Sequence, residues 1–213
     1  MGLNKSALLS INLFNELSGE SIKSGDNQME ALINFASVAM ESFCGRLLAS
    51  RDFSYDPFDA DSYDPDNSIF DGVAGDTLFF PTSPINSIEE LIISGVVISP
   101  ATDHEDTDGY FLYNKAGKVI YSLGFDAGYN QNVKIKWNGG YTSESAELYE
   151  LQFLCYELIT IARGSGTTLP IFDSEKIGNY SYKRMNPIAL EKLEGMSPMV
   201  FKRLSKYKGK VFA

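Results

Sequence analysis

From residue 26 onward, apolar side chains recur at intervals of three and four: Met29, Leu32, Ile33, Ala36, Met40, Phe43, Cys44 and Leu47. That spacing lines one face of a helix. Asp26, just ahead of it, has a side chain that accepts hydrogen bonds from free first-turn N–H groups, so a helix is expected from Asp26 to about Leu48. A second stripe, Leu148, Leu151, Leu154, Cys155, Leu158, Ile159 and Ala162, predicts a packing partner over roughly Ser143 to Arg163. A shorter pattern, "SALLSINLFNEL" at 6–17, reads as a helix opened by Ser6 and ended by Gly19.

Between the two stripes the period changes. "DTLFFP", "SIEELIISGVVI", "YFLYN", "KVIYS" and "VKIKWN" are short runs of strand-forming residues, with "ATDHEDTDG" and "NKAG" as turns between antiparallel neighbours. A small antiparallel sheet over about 76–138 follows. Residues 56–72, "DPFDADSYDPDNSIFDG", hold six aspartates, two prolines and no basic residue. This excludes a helix or a central strand and predicts an exposed loop.

"GSGTTLP" breaks the second helix, and the chain is then thin in core-forming residues until "SPMVFKRL", where Ser197 and Pro198 suit the cap and first position of a final short helix. The fold class expected is α+β: packed long amphipathic helices with a small antiparallel β-sheet inserted between them and an extended C-terminal arm. Residues 1–175 form the core with its insertion, and 176–213 form the arm.

Charge divides the chain at the same point. Residues 176–213 hold 9 of the 18 basic side chains and only Glu191 and Glu194 as acids, so they carry +7. The other 175 residues carry 9 basic and 26 acidic groups, or −17, and the whole chain is −10. Such a tail either folds back on the acidic body or meets another surface. The acidic body argues against nucleic acid as the main partner, because phosphate binding needs a dense positive face.

With 213 residues and 44% hydrophobic content, the chain can bury one good core or two small ones. No run of about 18 apolar residues is long enough to span a bilayer, and the opening "MGLNKSALLSINLFNEL" is too polar for a signal peptide. A soluble intracellular product is expected. Met-Gly followed by Ser6 fits a myristoylation pattern superficially, without a second membrane signal.

Chemistry narrows the choice further. Cys44 and Cys155 fall on apolar helix faces, where a thiol acts as a small hydrophobe, and with a single histidine they give no zinc-ligand spacing. That histidine, His104, lies in an acidic turn and reads as solvated, not as the base of a nucleophilic triad. The carboxylates cluster in loops, where they stay ionised, whereas a glycosidase acid needs burial. "DADSYDPDN" alternates carboxylates as calcium ligands do, but an EF-hand loop starting at Asp59 needs glycine where Asp64 stands. Asp59, Asp61, Asp64 and Asp66 therefore form a weak divalent-ion loop, and the alternative function is a calcium-dependent carbohydrate-binding module or hydrolase. "GSGTT" lacks the lysine and spacing of a P-loop. No catalytic residue, cofactor or structural metal is expected.

Several fragments, in order, carry a resemblance. The helix ending "ASVAMESFCGRLLASRDF", then "FDG", "DTLFFPTSPINSIEELIISG" with its PI-x-SI run, "VKIKWNGGYTSESAELYELQFLCYELITIA" and "SEKIGNYSYKR" together resemble the head-to-tail connector proteins of long-tailed bacteriophages over about residues 6–184. The chain departs from the pattern in having Trp137 where tyrosine is common, a longer and more acidic 56–72 loop, and about thirty residues beyond the last fragment.

The resemblance implies a structural virion protein, not an enzyme. It would be an adaptor or head-completion subunit that forms a ring between the portal and the tail-proximal neck or tail-completion protein after packaging, and so extends the DNA channel. It further implies a dodecamer of neighbouring copies, DNA passing without sequence-specific binding, no membrane, and a place in the virion neck after assembly in the host cytoplasm. The C-terminal segment would meet the portal or a neighbouring subunit through Ile177, Gly178, Tyr180, Tyr182, Met199, Phe201, Arg203, Leu204, Lys206, Lys208 and Phe212. In that reading apolar side chains bury surface while lysine and arginine select an acidic partner. The competing expectation is that the tail packs on its own acidic body.

Overall fold

The computed structural model describes residues 2–4, 7–72, 74–103, 106–125, 131–164, 172–177, 180–185, 195 and 197–209, of which 172–177 and 180–185 are described by their backbone. The fold is mixed α+β. It divides into a helical unit, Met1–Leu48 with Ser143–Ala213, and a sheet unit, Ala49–Thr142.

The sheet unit contains β1 (Arg51–Phe53), β2 (Ile69–Phe70), β3 (Thr77–Phe79), β4 (Ile85–Ile93), β5 (Val96–Val97), β6 (Tyr110–Tyr113), β7 (Lys118–Tyr121) and β8 (Val133–Gly139). These strands form two antiparallel sheets where sequence patterning suggested one. Five strands run β1-β8-β4-β5 with β2 also on β8, and three run β3-β7-β6. β8 is the spine. Val133, Ile135 and Trp137 alternate inward while Lys134 is exposed, the period-two burial of a strand covered on one face.

An aromatic knot fills the space beside β8. Trp137 stacks on Phe53 at 4.3 Å and meets Phe80 edge-on at 4.7 Å, and its Nε1–H donates to the Asn67 carbonyl at 2.9 Å. The same ring explains the glycine two residues on: a Cβ at Gly139 would sit 2.3 Å from the Trp137 Cζ3 atom. Gly140 adopts φ 108°, and a Cβ there would lie 2.4 Å from the Ala49 carbonyl oxygen.

The acidic stretch 56–72 is only partly the exposed loop expected. Its second half holds a 3₁₀ turn, Pro65–Asn67, and then β2, with Ile69 opposite Lys134 and Phe70 opposite Val133. Phe70 lies 5.9 Å from Phe80, so the two apolar residues among the aspartates draw this segment onto the sheet.

The helical unit contains α1 (Ile11–Ser18), α2 (Asn27–Cys44), α3 (Ala146–Gly164) and α4 (Pro198–Leu204), with an antiparallel hairpin of β9 (Phe172–Ile177) and β10 (Tyr180–Met185). At 18 and 19 residues, α2 and α3 are helices of about five turns, not long ones. α1 is capped by Ser10, not Ser6, and ends at Gly19 in the left-handed region. Asp26 caps α2 as expected, accepting from the Met29 N–H at 2.9 Å. Gly45 stops that helix short of Leu48 by turning left-handed, its N–H bonded to the Glu41 and Ser42 carbonyls.

The α3 stripe read from sequence is the buried face of the helix without exception. Ser37 on α2 lies 3.8 Å from the Cys155 sulfur on α3, and Ser37 Oγ also accepts from the Leu8 N–H at 2.9 Å, so the segment before α1 is strapped to α2. Burial pushes the Cys44 thiol up to about 11 and the Cys155 thiol up to about 12, which keeps both neutral. Among the described residues, no helix is long and apolar enough to cross a membrane.

Candidate assembly surfaces

The C-terminal segment, expected as an arm, is a packed element over residues 197–209. Val200, Phe201, Leu204 and Tyr207 are buried. Phe201 meets Phe43 of α2 edge-on at 4.9 Å, the Cys44 sulfur points to the Leu204 carbonyl at 3.8 Å, and the Gly209 N–H donates to the Cys44 carbonyl at 2.8 Å. Phe201 and Leu204, expected to bury against a neighbour, are covered by their own chain. The physical reason is that α2 ends in aromatic and sulfur groups that need an apolar cover.

The basic side chains follow the same path. Arg203 pairs with Glu157 at 3.3 Å and Glu150 at 3.8 Å, Lys206 pairs with Glu150, and the Tyr207 hydroxyl donates to Glu150 at 2.9 Å. The Lys208 ammonium lies 4.1 Å from the centre of the Phe43 ring. Met199 alone among the large apolar residues of α4 is left largely in solvent. Ser197 is buried, but its hydroxyl caps nothing and finds no partner among the described residues. Ile177, Tyr180 and Tyr182 belong to the β9–β10 hairpin, which sequence patterning missed, while Gly178 and Phe212 lie outside the described residues.

Glu150 is held below its ordinary value of 4.5, first by the Lys206 hydrogen bond and with help from Tyr207, against the effect of partial burial. A lowered carboxylate stabilises the fold above its unfolded value and loses that contribution as pH falls through the folded value. The attachment of α4 is therefore expected to weaken below about pH 4.5. Glu150→Gln should flatten that acid-side loss in melts recorded across the window. The effect is small, because the partners are half-exposed and screened.

In the sheet unit, Asp59 pairs with Lys136 at 2.8 Å and accepts from the Ser54 hydroxyl at 2.7 Å, and Asp56 lies 3.4 Å from the same lysine. Asp59 is held low mainly by the Lys136 hydrogen bond, and Lys136 is raised mainly by Asp59. Asp64 caps the 3₁₀ turn through the Asn67 N–H at 3.3 Å. Asp59 and Asp64 thus have protein partners, and the four aspartates of the divalent-ion alternative do not converge. Among the described residues, no group of three or more His, Cys, Asp or Glu side chains is placed to hold a metal ion. A thermal melt with and without a calcium chelator is expected to show no shift, since only a ligand of the folded state raises stability. His104 lies outside the described residues.

Division into units changes the charge picture. The helical unit has 13 basic and 13 acidic side chains, while the sheet unit has 5 basic and 15 acidic, so the sheet unit accounts for the whole net charge of −10.

Three of the sequence fragments meet at one joint in this acidic unit. The Asn86 amide of "PINSI" donates to Asn138 Oδ1 at 2.7 Å, the Gly140 carbonyl at 3.1 Å and Ser50 Oγ at 3.2 Å. Ser50 Oγ in turn donates to Asn138 Oδ1 at 2.9 Å, and Asn138 Nδ2 donates to Asp52 at 2.7 Å. The "SRDF", "PINSI" and "WNGGY" fragments, separated by tens of residues, thereby form one polar network beside the Trp137 knot. β4 carries a register irregularity between Ile85 and Ser87 that leaves Asn86 without a paired partner on β8, at the position where it joins that network.

No family model matches the chain, and no curated protein does. Among solved structures, it is similar to a chain from the neck of an empty GTA (gene transfer agent, phage-like) particle computed with C6 symmetry. That match has 16% identity, covers 96% of this chain and 92% of that one, and has a TM-score of 0.49. A chain from the neck of a native GTA particle computed with C12 symmetry is similar at 15% identity, covering 96% and 94%, with a TM-score of 0.48.

Proposed function

We propose that this chain is a structural neck subunit of a phage-like particle, an adaptor that forms a ring between the portal and the tail-proximal neck proteins. The observation that carries the reading is the Asn86 joint. Three of the fragments that resemble connector proteins meet through Ser50, Asn86, Asn138 and Gly140, which supports reading them as parts of one structural feature. The first of these fragments also carries the Gly45 stop of α2, and one further fragment, "SEKIGNYSYKR", coincides with the β9–β10 hairpin.

A scaffolding role also suits the chemistry. Asp26 and Asp64 are caps, Asp56, Asp59, Glu20, Glu150 and Glu157 are in ion pairs, and both thiols are buried and neutral. The acidic sheet unit suits a surface past which DNA slides, because a negative wall repels phosphates over roughly 10 Å at ordinary salt. A ring whose lumen is lined mainly by lysine and arginine would contradict that part of the proposal. The whole reading is tested by particles assembled without this chain. The expected result is DNA-filled heads and separate tails; tailed, infectious or DNA-delivering particles at normal yield would overturn it.

A further inference from the structure

The fold leaves an apolar feature in solvent on each unit, and the two carry opposite local charge. On the sheet unit, Phe58 is 93% exposed. It is not on a slack loop: its N–H donates to Asp56 Oδ1 at 3.0 Å, the Asp59 N–H donates to the Asp56 carbonyl at 3.0 Å, and both aspartates are tied to Lys136. An aromatic ring held out on a fixed mount loses little freedom on binding, which is how an interface anchor is preorganised.

On the helical unit, Tyr149, Phe153 and Met199 are 64%, 42% and 69% exposed. Tyr149 and Phe153 are one turn apart on α3, and Met199 is one turn before Arg203 on α4. The Arg203 guanidinium lies 5.9 Å from the centre of the Phe153 ring, so these three side chains border one patch. Residues 197–209 beside it carry four basic side chains and no acid; Arg203 and Lys206 pair with Glu150 and Glu157 of α3, which leaves Lys202 and Lys208 as the excess positive charge, while 56–72 around Phe58 carry six acids and no base.

We propose that the Phe58 loop of one copy docks on the Tyr149–Phe153–Met199 patch of the next copy. This deepens the ring-subunit reading and rests on it. Charge selects the occupant: the acidic loop repels a second acidic loop, so a two-fold contact of the loop with itself is disfavoured, and the patch, whose rim keeps the excess positive charge of Lys202 and Lys208, is complementary to it. A contact between two different surfaces is heterologous, the kind that closes into a ring when its rotation allows. Phe58 supplies the burial, while the rim charges set register and encounter rate.

The test pairs two single-cysteine variants beside the contact, Ala60→Cys and Ala146→Cys, which keep Phe58 and the patch intact and are mixed at high protein concentration with a short bismaleimide. Cys44 and Cys155 are buried and give little background. Cross-linked heterodimer is expected from this mixture, well above either variant alone and above Ala60→Cys mixed with Lys23→Cys, an exposed control position. Sedimentation of the otherwise unaltered chain gives the second readout: Phe58→Ser should weaken self-association about tenfold or more, with an unchanged circular dichroism melt because the ring is in solvent. Association without the 60–146 cross-link overturns this contact and leaves the ring reading intact. A chain that stays monomeric and uncross-linked also overturns the contact, and the neck assignment is then decided separately by the particle experiment.

Discussion

Trp137→Ala is expected to destabilise the sheet unit by about 3–5 kcal/mol, the range for removing a large buried aromatic. The ring is almost fully buried, stacks on Phe53, meets Phe80, and satisfies the Asn67 carbonyl through its Nε1–H. Truncation removes all of these at once, opens a cavity in the knot and leaves a part-buried carbonyl without its donor. Gly139→Ala should be similarly damaging for the opposite reason, since its Cβ would sit 2.3 Å from the same ring. The two substitutions are expected to be strongly non-additive, because Trp137→Ala removes most of the obstruction that makes Gly139→Ala costly; residual crowding remains from Thr82 Cγ2 at 3.1 Å. Urea unfolding of the two single variants and the double variant measures this directly. Additive losses would show that the ring and the glycine do not define one another.

Phe201→Ala is expected to cost about 3–4 kcal/mol, whereas Lys206→Ala should cost about 1 kcal/mol or less. Phe201 is buried against Phe43, in the region where Leu204 and Gly209 meet the end of α2. Lys206 is half-exposed and its charge is screened. This ordering separates a folded-back tail from a free arm. In a free arm, neither substitution would change the stability of the isolated chain, and both would matter only in assembly. Deleting residues 197–213 is likewise expected to lower the stability of the helical unit, readable as faster hydrogen exchange in α2 and α3; unchanged exchange would return the segment to the arm.

Much of the helical unit was legible because its signals are local. The α3 stripe is the buried face, and Asp26 and Gly19 act at the positions their chemistry suits. Gly45 was also readable as a stop, yet the apolar Leu47 and Leu48 beyond it drew the expected helix too far. The basic tail was read from charge, and charge alone leaves its partner open. What selects it is the apolar end of α2, a tertiary feature that no local spacing reveals.

The acidic loop was legible as far as Asp64, then misread, because Ile69 and Phe70 pair with β8 despite their aspartate-rich surroundings. The Asn86 joint was present in the sequence only as a resemblance. Its meaning depends on residues brought together across the fold, from Ser50 to Gly140. Phe58 is the reverse case: one aromatic among aspartates is visible in the sequence, but its exposure on a fixed turn is visible only in the structure.

Negative-stain electron microscopy of the purified chain mixed with the portal proposed as its partner is the most direct test. A second ring of density stacked on the portal face is expected, absent when the chain is omitted and weakened by Phe58→Ser. Bare portals beside monomeric protein, at concentrations that saturate the grid, would contradict it.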